Sequence, residues 1–111
     1  MTNPTSIDNF LALDIRVGTI IGVEESRTNK PTWKLTIDFG SDLGKKISCG
    51  AYKNYSPAEL EGLQVICIVN LGVRKMGPET SEVLVLGVAA DGGGTNPLTV
   101  KDASQNGLVI F

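Results

Sequence analysis

Ser56-Pro57-Ala58-Glu59-Leu60-Glu61-Gly62 is the stretch on which the reading of the fold turns. A serine precedes a proline at the first helical position, a glutamate follows three places after the serine, and a glycine closes the run. Together these residues spell a short capped helical turn. Strand-like runs flank it, Lys45 to Gly50 before and Gln64 to Val69 after.

Upstream, Trp33 to Phe39 alternates apolar and polar residues, the mark of a half-buried strand with Trp33, Leu35, Ile37 and Phe39 inward. Ile15 to Glu24 is rich in β-branched residues. It carries Gly18 and Gly22, one of which is expected at a bulge or tight bend of the kind a small barrel needs to close. Gly40 to Gly44 has turn chemistry, and continued alternation in the next strand would turn Ile47 and Cys49 inward. Nearer the start, Ile7, Phe10, Leu11 and Leu13 follow helical spacing behind Ser6 or Asp8 as a cap. Such a helix of about two turns cannot stand alone and must dock.

Downstream, the fourth strand Gln64 to Val69 and a fifth over Val83 to Val88 are joined by a polar, basic loop beginning at Asn70. Beyond them lie the flexible Gly92-Gly93-Gly94, a short strand at Leu98 to Val100, an Asn106-Gly107 turn and the apolar end Leu108 to Phe111. That end needs burial on the barrel or against a second subunit. With the N-terminal helix, it argues for a twofold dimer.

Five strands with one short helix between the third and fourth is the order of the OB-fold, a Greek-key barrel. A β-sandwich of the immunoglobulin type needs about seven strands and no internal helix. The expectation is an all-β, five-stranded OB-fold Greek-key barrel with a short N-terminal helix, a helical turn between strands three and four, and a C-terminal extension. Residues 1–6 are read as a flexible tail and 7–111 as one domain.

A chain of 111 residues buries enough surface for one core. With 41% hydrophobic and 20% charged residues it has the composition of an ordinary globular protein. No apolar run approaches a membrane span, and the polar opening Met1 to Ser6 has no signal character, so the expected place is the cytoplasm without membrane insertion. Histidine is absent and only Cys49 and Cys67 supply thiols, which removes zinc sites and Ser-His-Asp catalysis. Both cysteines lie in apolar runs and are expected as buried free thiols. Gly92 to Gly94 lacks the lysine and hydroxyl residue of a phosphate loop, and the acidic pairs read as solvated surface. The expectation is therefore no enzyme, no metal and no cofactor.

Ten Lys and Arg against twelve Asp and Glu give a net charge of −2, so phosphate can be met only through a local patch. Lys30 and Lys34 fall around the connection from strand one to two, Lys45, Lys46 and Lys53 around strand three, and Arg74 and Lys75 between strands four and five. OB-folds bind nucleic acid with that face and those connections.

Phe10-Leu11-Ala12-Leu13-Asp14-Ile15-Arg16-Val17-Gly18-Thr19-Ile20, Ile37-Asp38-Phe39-Gly40, Tyr55 to Gly62, and Asn70-Leu71 with Arg74-Lys75-Met76 and Ser81-Glu82 resemble, in order, the tRNA-binding OB domain. That domain is also found at the C-terminus of many methionyl-tRNA synthetases. Pro31 with Lys34-Leu35, and Ser81-Glu82-Val83-Leu84-Val85-Leu86-Gly87, resemble the stand-alone CsaA branch of the family. The resemblance implies a homodimer that binds tRNA or another structured RNA, with export-related chaperone activity beside it. The alternative it leaves open is a chaperone for unfolded or preprotein chains without physiological RNA binding. It carries RNA contacts to Asn70, Arg74, Lys75, Met76, Ser81 and Glu82, to which the placement of cations adds Lys30 and Lys34. In those roles Arg74 and Lys75 suit phosphate, Asn70 and Ser81 a base edge or 2′-hydroxyl, and Met76 a base face. Glu82 would orient the cations or accept from backbone amides.

Overall fold

A computed structural model describes residues 2–111. Met1, the first residue of the expected tail, lies outside the described residues. Ser6 caps α1 (Ile7–Leu11) through its hydroxyl, which accepts from the Asp8 N–H. This helix is a single turn and a half, shorter than its apolar spacing suggests.

The frame is a five-stranded antiparallel sheet of β1 (Ile15–Glu25), β2 (Trp33–Asp38), β3 (Lys45–Gly50), β4 (Gln64–Ile68) and the two-residue β7 (Leu84–Val85), in the order β3-β2-β1-β4-β7. Its curvature starts in β1. The first half of β1 pairs with β4 and the second half with β2, and a register shift between Ile20 and Gly22 leaves Ile21 as the extra, outward residue of a bulge. Gly22 is thus the glycine at the bend. Gly18 serves close packing instead, since a Cβ there would stand 2.6 Å from Ile37 Cγ2 and 2.8 Å from the Phe39 ring.

Leu35, Ile37 and Phe39 are buried as alternation requires, and they meet Ile20, Val65 and Leu60 in the core. Trp33 is only half-buried, its indole N–H donating to the Tyr55 carbonyl at 3.0 Å. On β3 the phase is the reverse of the expected one. Leu35 is paired with Ser48 and Ile37 with Lys46, so Ser48 and not Ile47 or Cys49 shares the core side of these strands. Both faces of β3 are covered, which is why Cys49 is also buried although it lies on the other side. Register, not apolar content, decides the face here.

Between β3 and β4, α3 (Pro57–Leu60) carries the capping box read from the sequence, with Ser56 and Glu59 each bonding the other's backbone N–H. Leu60 is its one buried residue and plugs an end of the barrel. The stretch Gly40–Leu43, read as a turn, is a second helical turn, α2. The barrel closes where Glu82 and Val83 donate their backbone N–H groups to the Ile47 carbonyl of β3, at 2.7 and 3.3 Å, just before β7 joins β4. The molecule is an OB-fold barrel.

Two connections differ from expectation. The run from Asn70 to Glu82 is not an open loop but holds a hairpin of β5 (Arg74–Met76) and β6 (Glu79–Ser81). The expected fifth strand breaks after Val85, and β8 (Gly87–Ala89) leaves the sheet to pair with β9 (Thr95–Pro97), upstream of the strand expected at Leu98 to Val100. Gly87 permits the change of partner, because a Cβ there would lie 2.7 Å from Thr95 Cγ2 and 2.8 Å from the Asn96 carbonyl.

The C-terminal end docks by its backbone. Val17 N–H donates to the Leu108 carbonyl and Ile110 N–H to the Ile15 carbonyl, covering the side of β1 that β2 leaves free. The side chains of Leu108, Val109 and Phe111 stay exposed, as do Ile7, Phe10, Leu11 and Leu13 of the N-terminal segment that leads into Ile15. One end of β1 is therefore ringed by uncovered apolar side chains.

Candidate nucleic-acid interface

The β5–β6 hairpin turns on Gly77 and Pro78, with Gly77 at φ +65° in the first position, the arrangement a tight two-residue hairpin takes. Arg74 pairs with Ser81, Lys75 with Thr80 and Met76 with Glu79. Successive strand residues face opposite ways. Arg74, Met76, Glu79 and Ser81 therefore share one side of the ribbon, and Lys75 and Thr80 the other. Arg74 and Lys75 are both exposed, one starting from each side of the hairpin.

Ser81 and Glu79 are buried, and this fixes the ribbon to the barrel. The Ser81 hydroxyl, fully buried, accepts from the Cys49 N–H at 3.2 Å and donates to the Val83 carbonyl at 3.2 Å. Glu79 is 4% exposed. Its Oε2 accepts from the Arg27 backbone N–H at 3.3 Å, and its Oε1 stands 3.4 Å from the Arg27 guanidinium and 3.9 Å from Lys34 Nζ. Burial pushes the Glu79 carboxyl up, but the Arg27 N–H and the charges of Lys34 and Arg27 outweigh it and hold it below the ordinary carboxylate value. The hairpin is thereby tied to the connection between β1 and β2. Between these two walls lies a cleft of about 260 Å³ lined by Thr28, Asn29, Lys30, Met76 and Gly77.

Of the residues singled out in the sequence, Lys30 and Met76 line this cleft, Lys34 borders it through Glu79, and Arg74 and Lys75 flank it on the ribbon. Asn70, Ser81 and Glu82 are engaged elsewhere. Asn70 Oδ1 accepts from the Asp14 N–H and its Nδ2 donates to the Ala12 carbonyl. Glu82 Oε1 accepts from the Ile47 N–H at 3.0 Å and makes no ion pair with Arg74 or Lys75. Ser81 is fully buried, and it and Glu82 tie the end of the ribbon to β3. Arg27 and Glu79 were not expected in the site. Alternation through a hairpin across Gly77-Pro78 is the signal that would have turned Glu79 inward.

Elsewhere on the barrel, Lys53 pairs with Glu25 and lies 3.7 Å over the Trp33 ring. A second cleft, of about 430 Å³, runs past Arg16, Gly40, Asp42 and Asn106. Its guanidinium is already occupied, since Arg16 bonds Asp14 at 2.6 and 3.1 Å and the Gly107 carbonyl at 3.1 Å. Cys49 and Cys67 are free and buried, and burial pushes the Cys67 thiol up to about 12. Among the described residues no cluster of metal-ligating side chains occurs, and no helix is long and apolar enough to cross a membrane.

Residues 15–108 match the family model described as "Putative tRNA binding domain". The chain belongs to the tRNA-binding-domain family. The methionine–tRNA ligase of Methanocella arvoryzae is 37% identical over 108 residues, which cover 96% of this chain and 15% of the ligase. The chain thus spans a small fraction of the length of that relative. Two solved structures are similar over nearly their whole length. They are the chaperone CsaA of Bacillus anthracis, with TM-score 0.91 and 35% identity over 98% of this chain and all of that one, and the CsaA chaperone protein of Picrophilus torridus, with TM-score 0.91 and 36% identity over 97% and 100%. In this tRNA-binding domain the residues matched to the family model take in both walls of the cleft and end at Leu108, so the hairpin lies inside the match.

Proposed function

We propose that the chain is a CsaA-type homodimer that holds tRNA or another structured RNA against the cleft face of each barrel. The observation that carries this reading is the exposed ribbon with Arg74 on one side and Lys75 on the other, standing beside Lys30 and Lys34 on the opposing wall. A ribbon with a cation on each side can lie between two phosphate runs. Arginine contributes a planar fork and lysine a point charge. With a net charge of −2, the rest of the surface adds no general attraction. Binding is then set by shape and local charge, with Met76 against an exposed base and Arg74, Lys75, Lys30 and Lys34 on phosphate.

The dimer reading rests on the apolar side chains around the start of β1, where Phe10, Leu11, Leu13, Val109 and Phe111 are exposed. Pairing two such rings would bury them and bring two RNA faces into one particle. Neutral-pH sedimentation of the wild type and of Leu11→Asp tests it.

A second reading, a chaperone of unfolded or exported polypeptide in the cytoplasm, is favoured by the same exposed apolar side chains and by the likeness to two chaperones. Retention of tRNA by the wild type and by Arg74→Ala/Lys75→Ala, with suppression of aggregation measured on the same samples, separates the two. Loss of RNA with unchanged suppression assigns them to different surfaces. Absence of tRNA binding by the wild type leaves the chaperone reading alone.

A further inference from the structure

Glu79 is an acidic side chain in the middle of a face read as binding a polyanion. A carboxylate at an RNA surface ordinarily opposes binding. This one is removed from the surface and faces two cations from the opposite wall, Arg27 and Lys34, with its second oxygen on the Arg27 backbone N–H. The three contacts span 52 and 45 residues of sequence and tie the hairpin to the β1–β2 connection and the start of β2.

We propose that Glu79 is a positioning residue of the RNA face: by holding Arg27 and Lys34 from below it fixes the spacing of the two walls and keeps both cations beside the cleft. The inference rests on the RNA reading above. The Arg27 side chain is 74% exposed, so its guanidinium is anchored on one edge and open to a phosphate on the other. Arginine has five N–H donors and can serve both. Lys34, with its side chain 32% exposed, is held at the same carboxylate. Without Glu79 these side chains regain rotamer freedom, which RNA binding would then have to remove.

The sign of one substitution decides the matter. Glu79→Gln keeps the shape and removes a negative charge, so an account based on charge alone requires tRNA binding to tighten. The positioning account requires it to weaken, by about threefold or more, and requires the Arg27 amide to exchange its hydrogen faster. Both readouts are taken on the full chain, with tRNA titrations at a fixed 100 mM salt and with melting measured on the same preparation. Glu79→Leu, which suits a buried site, carries the same test if the glutamine variant does not fold. Weaker tRNA binding and faster Arg27 exchange in a folded variant support the inference. Equal or tighter binding by the variant, beside a wild type that does bind, overturns this inference alone. A wild type without tRNA binding overturns the functional reading and this inference together.

Discussion

Asn70 and Asp14 are joined at the end of the β1–β4 pair: the Asp14 backbone N–H donates to Asn70 Oδ1 at 2.8 Å, while Asn70 Nδ2 donates to the Ala12 carbonyl at 3.0 Å. One side chain at the entrance to the hairpin thus holds the entrance to β1 and the end of the N-terminal helix. Each hydrogen bond contributes about 1 kcal/mol net. Asn70→Ala is expected to destabilise the chain by about 1–2 kcal/mol and to lower its melting temperature by several degrees, read by thermal denaturation. A melting curve superimposable on the wild type would show that the strap carries no load.

Gly18 and Gly22 lie four residues apart in one strand and should respond differently to the same change. A Cβ on Gly18 would meet Ile37 and Phe39 below 3 Å, whereas on Gly22 it would meet Thr36 at 3.5 Å, an ordinary contact. Overpacking of a tight core costs about 1–3 kcal/mol. Gly18→Ala is therefore expected to lower the denaturant midpoint clearly, and Gly22→Ala to lower it much less. Equal losses would contradict the packing described for the start of β1.

Acid should loosen the joint between the hairpin and the β1–β2 connection. The folded Glu79 carboxyl lies below its ordinary value of 4.5, with burial opposing and the Arg27 N–H and the Lys34 and Arg27 charges prevailing. A carboxyl lowered on folding stabilises fully above its unfolded value, and that stability is lost as pH falls through the folded one. Stability should thus decline below about pH 4.5 in the wild type and decline less steeply there in Glu79→Gln, as measured by urea unfolding at several pH values.

Cys67 should be inert in the native state. Its thiol is buried and raised to about 12. At pH 8 only about one molecule in ten thousand carries the reactive thiolate. Alkylation followed by mass measurement is expected to leave Cys67 unmodified until denaturant is added. Fast native labelling there would mean that the barrel opens at β4.

Much of this molecule could be read from its residues, and the failures share a cause. The capping box at Ser56 and Glu59, the bulge in β1 and the alternation of Leu35, Ile37 and Phe39 are local patterns, and local patterns survive into the fold. The phase of β3 is set by pairing with β2, and the break after Val85 by the approach of Thr95 to Gly87. Neither partner adjoins its target in sequence. The site divides the same way. Lys30, Met76, Arg74 and Lys75 stand out by residue type and position, whereas the hydrogen bonds that Asn70, Ser81 and Glu82 make within the barrel depend on partners remote in sequence. Glu79 acquires a role only through Arg27 and Lys34, remote in sequence.

The central claim, that the hairpin cations bind RNA phosphate in a dimeric particle, is tested most directly by the salt dependence of tRNA binding. Each phosphate neutralised adds roughly −0.7 to −0.9 to the slope of log K against log salt. Two hairpin cations per chain, doubled in a dimer, contribute about −3 to −4, or roughly a hundredfold in affinity between 50 and 200 mM salt. The account predicts that Arg74→Ala/Lys75→Ala loses a slope of that size relative to the wild type. A double variant with the wild-type slope and affinity would contradict it.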